Sequence, residues 1–97
     1  MRLRVMTVTL KKDMLDQAAD EWPRYAANFK GQGLRQLYFV ADPQTGEALS
    51  VTLWDNQAAI DRAENRPELK AQFQSFERFY ASTPRWDYYD VMATLDG

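Results

Sequence analysis

The sequence predicts one α+β domain built in the order βαββαβ. The length of 97 residues suits a single domain that covers residues 1–97. Four segments have the apolar and β-branched composition of strands, and a turn or an amphipathic helical stretch separates each from the next. A chain with this order closes most simply as a four-stranded antiparallel sheet with its helices on one face, the ferredoxin-like arrangement.

The first strand is expected over Arg2–Leu10, and an amphipathic helix follows it. Asp13 is a suitable N-cap for that helix, and Gly31 or Gly33 would end it. Apolar residues recur at spacings of three and four, namely Leu15, Ala18, Trp22, Tyr25, Ala26 and Phe29. Pro23 lies inside, so the segment is interpreted as one bent helix, with two short helices as the alternative.

A β-hairpin is the clearest local pattern in the chain. Its strands are expected over Leu34–Ala41 and Glu47–Trp54, and the segment DPQTG lies between them. The Asp-Pro pair starts a turn, and Gly46 accepts the positive φ that such a turn requires. These features predict two adjacent antiparallel strands.

The second half of the chain is expected to contain two helices and a last strand. Asp55 or Asn56 would cap a helix formed by NQAAIDRAEN, and Pro67 suits the first turn of the next helix, PELKAQFQSFERFYAS. Aromatic and apolar residues in this helix are spaced for burial on one face: Leu69, Phe73, Phe76 and Tyr80. The last strand is expected over Trp86–Leu95.

Both faces of the predicted sheet are apolar. On the third strand Leu49, Val51 and Leu53 lie on the face opposite to Trp54, and on the first strand Val5 lies opposite to Val8 and Leu10. The helices cover only one face, and a monomer would leave the other in water. We therefore expect a homodimer that packs sheet on sheet.

Cysteine and histidine are both missing from the sequence. Without cysteine there is no thiolate nucleophile, iron–sulfur cluster or cysteine zinc site. Without histidine the usual general base near pH 7 and the commonest ligand of haem and transition metals are missing. We expect no metal site, so any chemistry must rest on the other polar and aromatic side chains or on a bound cofactor, and no complete catalytic set can be assigned.

The charge pattern gives no sign of a nucleic-acid partner. The net charge is −2, and the 12 basic residues are scattered rather than gathered into a stripe that would neutralise phosphates.

The N-terminal segment has no apolar run of signal-peptide length, and no stretch approaches ~20 apolar residues. These features predict a cytoplasmic protein without membrane contacts.

The passage LSVTLWDNQAAIDRAENRPELKAQF resembles the antibiotic biosynthesis monooxygenase-like family of dimeric α+β barrels. The matching features are Gly33 before the second strand, a strand that ends in Trp54, the acidic Asp55 after it, a short helix with Ala58-Ala59 and a second helix that opens near Pro67. The family includes cofactor-free oxygenases of polycyclic aromatics, haem-degrading enzymes and members of unknown role. The resemblance implies a pocket between sheet and helices, a homodimer and no resident cofactor.

The resemblance also implies which residues contact a substrate. Trp54 would lie in the pocket wall, with Thr52 and Ser50 as polar contacts on the same strand face. Thr7 on the first strand would face the same hollow. The short side chains of this face leave room under the helices, so that Trp54 would close a hollow, although a plain core position is the alternative for this residue.

Two aromatic residues of the last helix are further candidates for the pocket wall. By their spacing Phe73 and Phe76 belong to an ordinary amphipathic core. They would also suit the same hollow, because small-molecule sites are lined mostly by apolar side chains.

The chain departs from the family pattern at the polar positions. Haem degraders use an Asn on the first strand, where Thr7 stands here, and a His ligand, of which this chain has none; haem degradation is therefore not expected. The aromatic-ring oxygenases place an Asn four residues before the Trp and a Tyr six residues after it. Ser50 and Ile60 occupy those positions.

Two functional hypotheses follow. The first is a cofactor-independent monooxygenase that acts on a small aromatic or quinol substrate near Trp54, where the deprotonated substrate itself gives an electron to O₂. The second is a non-catalytic dimeric module that binds a hydrophobic small molecule in a stress or accessory role. The missing family polar residues favour the second, and a purely structural role would remain if no ligand binds.

Overall fold

A computed structural model describes all residues from 1 to 97, and it has the predicted βαββαβ order. The strands are β1 (Arg2–Thr9), β2 (Leu34–Ala41), β3 (Glu47–Trp54) and β4 (Arg85–Asp90). The helices are α1 (Leu15–Ala26), α2 (Gln57–Glu64) and α3 (Pro67–Phe76). Short 3₁₀ turns precede α1 at Lys12–Met14 and follow α1 and α3 at Ala27–Phe29 and Glu77–Phe79.

The four strands form one antiparallel sheet in the order β2-β3-β1-β4. The strands β1 and β3 occupy the centre, and β2 and β4 are the edges. This is the strand order of the ferredoxin-like arrangement, so the predicted fold class is confirmed. The hairpin is confirmed as well, with Gly46 at a φ of 81° in its turn.

Alternate residues of the central strands β1 and β3 lie on opposite faces of the sheet. On β1 the residues Met6 and Val8 are buried under the helices, and on β3 Ala48 and Trp54 are buried on the same side. The intervening residues are only half-buried in the single chain, among them Val5 and the β3 residues Leu49, Val51 and Leu53. The second face is thus apolar and open, as the sequence predicted.

A bulge at Arg35 shifts the register of β2 against β3. Leu34 pairs with Trp54, but Gln36 pairs with Leu53, so β2 has one residue more than β3 over this stretch. The bulge lets Leu34 and Leu37 pack against the core although they are three residues apart.

The last strand is shorter than predicted, since it ends at Asp90 and not at Leu95. β4 is an edge strand whose only partner is β1, and Asp90 already pairs with Arg2 near the start of β1. One more backbone hydrogen bond, from the Val91 amide to the Met1 carbonyl, follows the last ladder pair. β1 likewise ends at Thr9, and Leu10 forms only an isolated bridge with Tyr80.

The first helix is continuous through Pro23, so the one-helix interpretation is confirmed. Its start differs from the prediction, because Asp13 lies in the preceding 3₁₀ turn and Met14 occupies the N-cap without a side-chain bond. Asn56 caps α2 by accepting a hydrogen bond of 2.9 Å from the Ala59 amide. Pro67 occupies the first turn of α3 as expected, and α3 gives way to a 3₁₀ turn after Phe76.

Gly33 is required where β2 begins beside α2. Its φ is +98°, and a Cβ placed there would lie 2.6 Å from the Cβ of Ala59. Its carbonyl also accepts a hydrogen bond of 2.9 Å from the Asp55 amide. This close approach sets α2 directly against the end of the hairpin.

None of the three α-helices has both the length and the apolar character needed to cross a bilayer.

Candidate functional site

Trp54 ends β3 under the helices and is fully buried. Its indole nitrogen donates a hydrogen bond of 2.8 Å to the Thr52 hydroxyl, which is buried on the same strand face. Trp22 of α1 donates an equivalent bond of 2.9 Å to the hydroxyl of Ser50. Thr52 and Ser50 are therefore beside Trp54 as expected, but both hydroxyls already serve buried indoles.

Aromatic side chains fill most of the space beside these residues. Trp22 stacks on Phe76 with ring centroids 4.7 Å apart, and the Phe29 ring meets Trp54 edge-on at 5.5 Å. Phe76 is buried in this core, whereas Phe73 is only half-buried. The remaining cavity has a volume of about 10 Å³, room for about one water molecule.

Thr7 does not take part in this site. On β1 the side chains of Met6 and Val8 point under the helices, and strand residues alternate between faces. Thr7 therefore lies on the open face, where it pairs with Leu49 and Arg85. The expectation that Thr7 faces the same hollow as Trp54 is wrong.

Arg4 is the charged residue of this site, and the sequence interpretation missed it. It lies on β1 in the same alternating set as Met6, and its exposure is only 5%. The guanidinium carbon lies 5.3 Å from the ring centroid of Trp86, 5.4 Å from that of Trp54 and 6.0 Å from that of Phe73. The cation is therefore enclosed by the negative faces of three rings.

Glu64 of α2 provides the counter-charge of Arg4. The Nη1 of Arg4 donates a hydrogen bond of 3.2 Å to Glu64 Oε1, and the Tyr88 hydroxyl donates one of 2.5 Å to the same oxygen. Burial, reinforced by the bond to Glu64, raises the pKa of Tyr88 to about 12. Tyr88 is thus a neutral donor at physiological pH, and Glu64 accepts two bonds at one oxygen.

These residues line an open cleft between the helices and β4. The cleft has a volume of about 270 Å³, and its walls are formed by Arg4, Glu64, Phe73, Trp86 and Tyr88. Trp86 is 37% exposed, and the Glu64 side chain is 35% exposed. The Nε and Nη2 groups of Arg4 have no hydrogen-bond partner in the protein, and they are not completely sealed from solvent.

The cleft combines an aromatic wall, a cation with spare donors and one carboxylate. Such a set can hold a planar aromatic ligand and stabilise a negative charge on one of its oxygens. Glu64 is the only carboxylate among the residues that line the cleft. No group of three or more acidic residues is arranged to hold a metal ion.

No protein-family model matches the sequence, and no curated protein matches it significantly. Solved structures match over nearly the whole chain. A structure described as an antibiotic biosynthesis monooxygenase has a TM-score of 0.77 at 10% identity, covering 96% of this chain and 100% of its own. SnoaB, a cofactor-independent oxygenase from Streptomyces nogalater, has a TM-score of 0.80 at 16% identity, covering 99% of this chain and 97% of its own.

A protein from Caulobacter crescentus assigned as an antibiotic biosynthesis monooxygenase gives a similar result. Its TM-score is 0.80 at 16% identity, and the match covers 95% of this chain and 90% of that one. Similarity at these identities establishes the fold, whereas the reaction depends on the residues of the site. The resemblance predicted from the sequence is confirmed at that level: the chain has the α+β fold of the antibiotic biosynthesis monooxygenase-like domains.

Proposed function

We propose that this protein is a cofactor-independent monooxygenase that acts on a small aromatic or quinol substrate bound in the cleft beside Arg4. The observation that carries the proposal is the buried guanidinium of Arg4, which lines an aromatic-walled cleft and has two nitrogen groups, Nε and Nη2, without a protein partner. The fold shared with a cofactor-independent oxygenase supports it. Trp54 contributes from beneath, as one of the rings that enclose the cation.

The proposed reaction begins with loss of a proton from an acidic CH₂ or OH group of the substrate. Glu64 takes the proton and passes it to solvent, and Arg4 stabilises the substrate anion. The anion gives one electron to O₂, and the substrate radical and superoxide combine to a peroxide. Loss of water then turns a CH₂ group into C=O, with the balance CH₂ + O₂ → C=O + H₂O. A quinol would instead give up two electrons and two protons, which yields quinone and H₂O₂; no oxygen atom then enters the substrate, so this outcome is an oxidase reaction at the same site.

Oxygen uptake with anthrone and with a benzohydroquinone tests this function. We expect substrate-dependent uptake by the wild type and a loss of at least tenfold in Arg4→Met, because the anion then lacks its partner. Arg24→Met is the matched control, since Arg24 is an exposed helix cation that pairs with Asp20. Absence of uptake by the wild type would count against the reaction, and equal rates in Arg4→Met would count against the site.

Binding without turnover is the second candidate function. It is favoured by the packing around Trp54, where the Ser50 and Thr52 hydroxyls are occupied and the cavity holds about 10 Å³. A ligand in the open cleft would quench Trp86 whether or not it reacts. Quenching by anthrone without oxygen uptake or product would select this function over the first.

We also propose that the open sheet face packs against a second copy of the chain. The half-buried apolar residues of β1 and β3 continue at the sheet edges into Tyr38 and Val40 of β2 and Tyr89 of β4, which are about half exposed in the single chain. This face lies opposite to the cleft, so a dimer formed through it would leave the cleft open.

A further inference from the structure

The Tyr25 hydroxyl is the one side-chain polar atom in the chain that is both buried and without a hydrogen-bond partner. Tyr25 lies on α1, and its exposure is only 3%. A buried polar group without a partner costs about 1–3 kcal/mol, and most such groups in folded proteins are satisfied. An orphaned hydroxyl at this position therefore indicates a missing partner.

The Tyr25 ring stands in the wall of the small cavity beside Trp54. It meets Phe73 edge-on at 4.8 Å and Phe29 edge-on at 5.5 Å, so aromatic contacts fix the ring on two sides. The cavity wall is mainly apolar and offers the hydroxyl no protein acceptor. The partner of Tyr25 is therefore either a water in this cavity or a group that enters from outside this core.

Three residues line both the small cavity and the open cleft: Arg4, Phe73 and Trp86. Arg4 and Trp86 lie on the neighbouring strands β1 and β4, whose backbones are hydrogen-bonded to each other. Phe73 belongs to α3 and is half-buried, and its side chain makes no hydrogen bond. Of the three residues between the cavity and the cleft, Phe73 is therefore the one whose side chain can rotate without disturbing a strand of the sheet.

We infer that the Tyr25 hydroxyl donates a hydrogen bond to an oxygen of a bound aromatic ligand, a carbonyl or a phenolate, which reaches it when the Phe73 side chain rotates and joins the cavity to the cleft. The inference rests on the proposed function for the chemical class of the ligand. Within the joined pocket Arg4 would hold the ligand near the mouth, and Tyr25 would hold it at the inner end.

The protonation state of Tyr25 suits a donor. Burial raises the pKa of Tyr25 well above its ordinary value, and the nearby Arg4 cation only partly opposes this effect. The hydroxyl therefore keeps its proton throughout the neutral range and can give a hydrogen bond to a carbonyl or phenolate oxygen.

Tyr25→Phe tests the inference, because it removes the hydroxyl and keeps the ring with its aromatic contacts. With anthrone as the probe, binding is measured without oxygen by quenching of tryptophan fluorescence. We expect the dissociation constant to rise roughly tenfold, the loss of one hydrogen bond. The urea midpoint should stay level or rise, since no protein bond is lost. Tyr89→Phe, on the open sheet face and outside both spaces, is the control.

A second variant tests the route of entry. Phe73→Leu replaces the ring between the cavity and the cleft by a smaller apolar side chain. We expect anthrone to associate severalfold faster with this variant than with the wild type. An unchanged association rate would contradict the role of Phe73.

The outcomes separate this inference from the proposed function. Wild-type affinity in Tyr25→Phe overturns the inference, whatever the oxygen-uptake result. A fall in stability with unchanged affinity also overturns it, because the hydroxyl would then serve an internal water. Tyr25-dependent binding without any oxygen uptake would support the inference and count against the monooxygenase. Absence of anthrone binding to the wild type would overturn the inference as well.

Discussion

The indole nitrogen of Trp54 donates a hydrogen bond of 2.8 Å to the hydroxyl of Thr52, which in turn donates one of 3.3 Å to the carbonyl oxygen of Arg4. The three residues come from adjacent central strands, and all are buried. Thr52 therefore serves the core, and the polar contact available to a ligand is the side chain of Arg4 on the other strand.

Replacement of Thr52 by Val should destabilise the fold. The buried Trp54 N–H would lose its acceptor while the volume of the side chain stays nearly the same. We expect the free energy of unfolding, measured by urea titration, to fall by about 1–3 kcal/mol. Thr52→Ser keeps the hydroxyl, so its free energy of unfolding should stay close to that of the wild type. Equal stability of the Val and Ser variants would contradict the role assigned to the hydroxyl.

Gly33→Ala should be more damaging than Gly31→Ala. Both glycines have positive φ, at 98° and 76°, so an alanine at either position carries backbone strain. Only at Gly33 would the new Cβ also collide with Ala59, whereas nothing lies within 4 Å at Gly31. We expect the unfolding free energies of the two variants to differ by about 1–3 kcal/mol, the usual cost of overpacking. Equal losses would mean that α2 moves freely away from the hairpin.

The open sheet face should form a dimer at micromolar concentration. Light scattering is expected to give about twice the monomer mass of 11.3 kDa. Val51→Glu places a charge at the centre of this face and should shift the mass to that of the monomer. Gln74→Glu adds the same charge on an exposed part of α3 and should not change the mass. A monomeric wild type would rule out the dimer.

Stability should decrease at high pH because of buried phenols. Burial raises the pKa of Tyr80 from 10.0 to about 12, so folding favours the neutral form. The resulting stabilisation is complete below pH 10 and is lost as the pH rises from 10 to 12. We expect the free energy of unfolding to fall over this interval, and less steeply in Tyr80→Phe. Parallel curves for the two proteins would contradict this assignment.

Much of the fold could be predicted because local patterns agree with the final structure. The hairpin with Gly46, the proline at the start of α3 and the apolar residues on both sheet faces are all visible in the sequence. The end of the last strand was not, because its length depends on its pairing with β1, where Asp90 already stands opposite Arg2. The bulge at Arg35 is also a matter of pairing, and no residue of β2 signals it alone.

The site was predicted only in part. Trp54, Thr52 and Ser50 share a buried strand face as expected, but Thr7 was assigned to the wrong face of β1. Arg4 was overlooked, because a charged residue near the start of a strand is usually in solvent. Its position in the same alternating set as Met6 was the signal that could have found it. The ring contacts and the bond to Glu64 depend on tertiary packing, which one sequence does not reveal.

The pairing of β1 with β4 has a consequence for how the protein matures. Arg2 must pair with Asp90, so the sheet closes only after the chain has been synthesised and released through β4. The cleft needs the same event, since Arg4, Glu64 and Tyr88 come from the beginning, middle and end of the chain. A nascent or truncated chain that lacks β4 therefore has no cleft, and any ligand that occupies the cleft will selectively stabilise the completed fold.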